Sequence, residues 1–98
     1  MIHVFVRHKI SDYNQWKEAF DAHLNTRKRA GETGFRLFHN VEDPREIFLI
    51  SDWQSTEEAR KFMNSDELRD AMQKSGVIGA PEVRYLEDAR SVHRSAAD

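Results

Sequence analysis

The sequence predicts an α+β protein of the ferredoxin-like type, strand-helix-strand-strand-helix-strand, with four antiparallel strands and both helices on one face. Three observations lead there. An alternating apolar run opens the chain (Ile2, Val4, Val6), and apolar residues at steps of three and four follow it (Tyr13, Trp16, Phe20, Leu24). Two extended runs, 35–41 and 47–53, then flank a turn at Asp43-Pro44. A second helical stretch over 59–72 and a short strand over 83–86 complete the order. The helices of such a sheet cover one face only, so the other face needs a partner.

Strand one is expected over 2–8. Asp12 with Gln15 forms a capping box, with Ser11 and Asn14 as the weaker alternative. The first helix should run on through Leu24 and stop at Ala30-Gly31, since glycine is favoured just past a helix C-terminus. Arg27-Lys28-Arg29 fall in its last turn, where cations complement the macrodipole. Gly34 opens strand two, and the turn 42–45 holds a proline that a central ladder would reject. Ile47-Phe48-Leu49-Ile50 is continuously apolar, so both of its faces should be covered. Ser55 with Glu58 caps the second helix, Ser65 restarts it, and Gly76 ends it. Residues 77–81 read as an apolar loop, and the tail 89–98 as frayed or draped on a partner. The expected organisation is one domain over 1–88.

Seventeen acidic and fifteen basic residues are interspersed, which excludes the basic footprint of a nucleic-acid binder. No run approaches the ~20 apolar residues of a membrane span. The first residues enter a strand at once and lack the regions of a signal peptide. With no cysteine as well, a cytoplasmic location is expected.

Strands one and three are read as the inner pair, running parallel, with strand four beside one and strand two beside three. Ile2, Val4 and Val6 then face the helices, and His3, Phe5 and Arg7 face away. On strand two Phe35 and Leu37 face inward and Arg36 and Phe38 outward. Strand three adds either Phe48 and Ile50 or Ile47 and Leu49 to the open face. That apolar patch predicts a homodimer with its sheets face to face.

Gly34-Phe35-Arg36-Leu37-Phe38, Asp43-Pro44, the strand ending in Trp53, Ser55-Thr56-Glu57-Glu58-Ala59 and Ser65-Asp66-Glu67-Leu68 carry a resemblance. Over residues 2–88 the chain resembles the dimeric α+β barrel superfamily, and within it the antibiotic-biosynthesis monooxygenase-like proteins. The resemblance implies a homodimer with a pocket in each subunit between sheet and helices. It also implies activities such as cofactor-independent oxygenation of quinols and polyphenols, haem degradation or isomerisation. Two positions depart from the family pattern. Lys61-Phe62-Met63 stand where many members have a histidine, and Ser51 stands where a glutamate often precedes the tryptophan. The haem-degrading branch has an asparagine on strand one, which this chain lacks.

No metal site is expected. His3 and His8 are five apart on a strand and point to opposite faces. His3 and His39 are read at one end of the sheet but about 10 Å apart, two strand spacings. His93 lies in the tail. His23, three residues after Phe20, falls at the rim of a sheet–helix pocket and is the candidate base. Arg84 or Arg7 is the candidate partner for an anion, and Asp52 a neighbour of Arg7 at the strand ends. Trp53, Phe62 and Met63 would line the site, with the 77–81 loop as lid and Trp16 apart from it. These residues describe a cofactor-free site for a small hydrophobic or aromatic ligand. The function expected is a monooxygenase or isomerase acting on a quinol-like compound; the alternative is a non-catalytic barrel that binds a ligand or partner.

Overall fold

A computed structural model describes residues 1–90. His93 and the tail from residue 91 onward lie outside the described residues. The elements are β1 (Ile2–Ile10), α1 (Tyr13–Ala22), α2 (Leu24–Ala30), β2 (Glu32–His39), β3 (Glu46–Trp53), α3 (Thr56–Met63), α4 (Asp66–Lys74) and β4 (Val77–Glu87). The strands lie in the order β2-β3-β1-β4 and every neighbouring pair is antiparallel. No helix among the described residues is long and apolar enough to cross a membrane.

The inner strands β1 and β3 are therefore antiparallel, which corrects the expectation of a parallel pair. The helical crossover returns the chain to start β2 in the direction of β1, and the β2–β3 hairpin then reverses it. Two consequences follow from the register. Arg7 sits opposite Phe48 and Asp52 opposite His3, so Arg7 and Asp52 are at different ends of the sheet. His39 pairs with Ile47, which in turn pairs with His8, so His3 and His39 are also at opposite ends.

The caps form as the side chains dictate. Asp12, Ser55 and Ser65 accept from the backbone N–H of Gln15, Glu58 and Leu68, each cap contributing about 1 kcal/mol. Gly31 ends α2 at φ 120°, and a Cβ there would meet the Glu58 carboxylate at 1.8 Å. The long first helix does not persist, however. It breaks at His23, whose N–H turns back to Phe20 O (3.3 Å) while its carbonyl receives Arg27 N–H (3.0 Å).

The strands depart from their expected extents, β1 running on to Ile10 and β2 and β4 changing most. β2 starts at Glu32 rather than Gly34, and its register slips between those two residues. Residues 77–81 belong to β4, paired through Ile10–Val77 and Lys9–Ile78, with a second slip before Glu82. Pro81 and Gly79 are tolerated because β4 is an edge strand that bonds only to β1.

Inward side chains form two clusters: Val4, Val6, Trp53, Ala59 and Phe62 near one end, and Ile10, Trp16 and Ile47 near the other. Phe48 and Ile50 go to the open face with Phe5, whose ring lies 6.5 Å from that of Phe48. Phe38 joins them and is 42% exposed.

Candidate functional site

Between the two clusters the sheet and helices leave a cavity of about 80 Å³. The sheet supplies Val6, His8, Leu49, Ser51 and Trp53; α1 supplies Trp16 and Phe20; α3 and α4 add Phe62, Met63, Leu68 and Met72. His23 at the α1–α2 junction lines it too, as do Arg27 and Glu32. The cavity is apolar with few polar groups, the usual composition of a small-molecule site.

Trp53 is 1% exposed, tilted 36° against Phe62 at 5.4 Å, and donates its indole N–H to Ser51 Oγ at 2.8 Å. The serine at this position thus orients the indole. Trp16 forms the opposite wall, stacked on Phe20 at 5.0 Å and edge-on to His8 at 5.5 Å. Both tryptophans therefore face the cavity, which overturns the expectation that Trp16 stands apart. The lid reading of 77–81 is likewise replaced by the β4 pairing, with Val77 packed beside Ile10 and Trp16.

Of the sequence-selected residues, His23, Trp53, Phe62 and Met63 come together at the cavity. Arg84, Arg7 and Asp52 do not. Arg84 pairs in register with Phe5 on the open face and reaches its neighbours Val83 O and Glu82. Arg7 is on that same face, donating to Glu46 from Nε at 2.8 Å. Asp52 is hydrogen bonded to His3 Nδ1 at 2.5 Å, and His3 Nε2 to Asp88 at 2.6 Å. These two carboxylates, Asp88 foremost, hold the His3 imidazole above its ordinary range.

The cation that reaches the cavity is Arg27. Its side chain is 6% exposed, its Nη1 donates to the Phe20 carbonyl at 2.5 Å, and its Nε bonds Glu32 Oε1 at 3.1 Å. The guanidinium lies 3.8 Å above the Phe20 ring centroid. Burial pushes the Glu32 carboxyl up, opposed by the charge and hydrogen bond of Arg27. Arg27 Nη2 and Glu32 Oε2 have no partner among the described residues.

His8 is the other group that sequence reasoning passed over. It is 5% exposed, and neither ring nitrogen has a partner among the described residues. Burial lowers its pKa to about 4 from 6.5. Because the folded value is the lower one, the unfolded chain binds more protons as pH falls below 6.5. The contribution of neutral His8 is complete above that pH and is lost as pH falls towards 4. At ~1.36 kcal/mol per unit, the loss is about 3 kcal/mol. Denaturation of the parent and of His8→Phe across this window should give a stability difference that tilts against the parent as acid is added. His3 and Glu32, both raised, act in the opposite sense and are common to both proteins. A pH-independent difference would mean that His8 is hydrated in solution.

A sequence model described as antibiotic biosynthesis monooxygenase matches residues 1–74. Comparison with functionally curated proteins finds no match. Among solved structures, SnoaB, a cofactor-independent oxygenase from Streptomyces nogalater, is similar with a TM-score of 0.77 at 9% identity, over 95% of this chain and 97% of that one. A Bordetella bronchiseptica protein, provisionally designated an antibiotic biosynthesis monooxygenase, gives a TM-score of 0.77 at 16% identity over 91% and 97%. A Nitrosomonas europaea protein of unknown function gives 0.69 at 11% identity over 97% and 95%. At these identities the likeness is one of fold.

Proposed function

The chain belongs to the antibiotic biosynthesis monooxygenase family, and from that premise we propose that it is a cytoplasmic, homodimeric, cofactor-independent monooxygenase acting on a small quinol-like aromatic. The observation that carries this reading is the aromatic-walled cavity between sheet and helices, with a histidine at its rim and a buried guanidinium beside it. The chemistry needs little more. The quinol supplies all the electrons: quinol plus O2 gives hydroxyquinone plus water, with one oxygen atom in each product.

His23 takes the phenolic proton, which makes the ring electron-rich enough to reduce oxygen. Arg27 fills the role expected of Arg84 and stabilises the resulting oxyanion, at a low-dielectric position where such a charge acts strongly. Trp53, Phe62 and Met63 hold the ring and exclude water, Met63 adapting to its outline.

Oxygen uptake with a panel of hydroquinones tests the reading. Turnover should fall about 100-fold in His23→Ala, the lower range for loss of a general base, with indole fluorescence still reporting binding. Turnover equal to the parent's would remove His23 from the mechanism. Binding without turnover in the parent would favour the non-catalytic barrel, the reading that Lys61-Phe62-Met63, with no imidazole on α3, supports.

A further inference from the structure

We infer that His8 is the residue that recognises the ligand's polar group, and that this group is an uncharged phenolic hydroxyl rather than a carboxylate. The inference rests on the cavity being the ligand site and adds which residue reads the ligand's hydroxyl.

His8 projects from β1 into an otherwise apolar end of the cavity. Its ring meets Trp16 edge-on, while Met72 and Ser75 of the α4 end line the same space. The Ser75 hydroxyl donates to Met72 O at 3.1 Å and makes no hydrogen bond to the imidazole. Across the sheet, the residue in register with His8 is Ile47. Both imidazole nitrogens are thus left without a partner among the described residues, although the side chain is nearly fully buried. A buried polar group left unpaired is unfavourable, so a ligand that completes it on entering the cavity is favoured. A neutral imidazole offers one donor and one acceptor, and a hydroxyl can answer either.

The charges facing the cavity decide between ligand classes. Those on its lining are Arg27 and Glu32, which form an ion pair with each other. Arg27 with Glu32 amounts to no net charge. His8 itself stays neutral at physiological pH, because burial opposes its protonation. A carboxylate placed against His8 would lose its hydration and meet no cation there, because the guanidinium on the lining belongs to Arg27, beside Phe20 and Glu32. A phenol loses far less and satisfies His8. The distance along the aromatic wall also matters: His8, Trp16, Phe20 and Arg27 follow one another at 5.5, 5.0 and 3.8 Å. His8 pairs with Ile47 and Glu32, the partner of Arg27, pairs with Trp53, so imidazole and guanidinium stand towards opposite ends of β3 and a flat ligand can be gripped by one while the other faces its far side.

The test is anaerobic binding of three probes of matched shape: ethylbenzene, 4-ethylphenol and 4-ethylbenzoate. The parent should bind 4-ethylphenol roughly tenfold more tightly than either of the others. In His8→Phe that preference should vanish while ethylbenzene is still bound. Independently of any variant, the ¹⁵N resonances of the His8 imidazole should shift on adding 4-ethylphenol and stay in place on adding ethylbenzene. A preference that survives in His8→Phe, an imidazole that ignores the phenol, tighter binding of the benzoate, or no binding of any probe would each overturn the inference. Oxygen plays no part here, so the two readings separate. Quinol turnover without a His8 response sinks this inference alone, and a His8-dependent phenol preference without turnover sinks the monooxygenase alone.

Discussion

Arg27→Met is expected to lower stability by about 3–5 kcal/mol, measured by urea denaturation at fixed protein concentration. The substitution keeps most of the side-chain volume, so packing loss is a minor part of the effect. What it removes is the cation beside Glu32, whose side chain is 2% exposed, and the donor that closes α1 at the Phe20 carbonyl. A buried carboxylate without its partner must either remain charged at high cost or take up a proton. Glu32→Gln should cost less, because the amide is neutral and can still accept from Nε. The double variant Arg27→Met, Glu32→Leu should recover much of the loss, since replacing both members of a buried pair by apolar groups is often neutral. A loss under about 1 kcal/mol for Arg27→Met, the level of a surface pair, would show that the pair is hydrated in solution.

That pair also marks the limit of what the sequence discloses. Element order, the three side-chain caps, the Gly31 stop and the restart at Ser65 rest on local rules, and each appears where those rules put it. The inward set of β1 and the Phe35–Leu37 parity of β2 follow from strict alternation. Glu32 escaped because the slip before Gly34 resets that alternation, bringing Glu32 and Phe35 to the same face although they are three apart. A glycine inside a strand run is the available signal for such a slip. Arg27 escaped because a helix was assumed to continue through His23. Once the helix breaks there, the following turn swings its arginine under Phe20 instead of into solvent. His8 was visible as an inward residue by parity, but its lack of a partner depends on four different elements and cannot be read from spacing.

Phe48→Asp should convert a dimer to a monomer. Phe48 and Phe5 lie on the two inner strands, with Ile50 beside them, Phe38 on one edge strand and Leu86 on the other. In the isolated chain Phe38 and Leu86 are each 42% exposed, so this face offers a second copy several large apolar groups. Full burial of such a side chain contributes roughly 1.5–3 kcal/mol, before the cost of association. Charged pairs, Arg7 with Glu46 and His3 with Asp52, stand towards the two ends of the patch as a polar rim would. A two-fold pairing introduces every substitution twice, so Phe48→Asp puts two carboxylates into the apolar patch, each opposite an Arg7 that is already bonded to Glu46. Sedimentation equilibrium at micromolar concentration should give twice the chain mass of 11.5 kDa for the parent and the single mass for the variant. Far-UV circular dichroism distinguishes dissociation from unfolding. Phe38→Lys, at the edge of the patch, should weaken the dimer while leaving the fold intact, because its side chain is already half in solvent. A parent that sediments as a monomer would leave the open face without a second copy and return it to some other partner. A Phe48→Asp variant as dimeric as the parent would place the contact elsewhere on the surface.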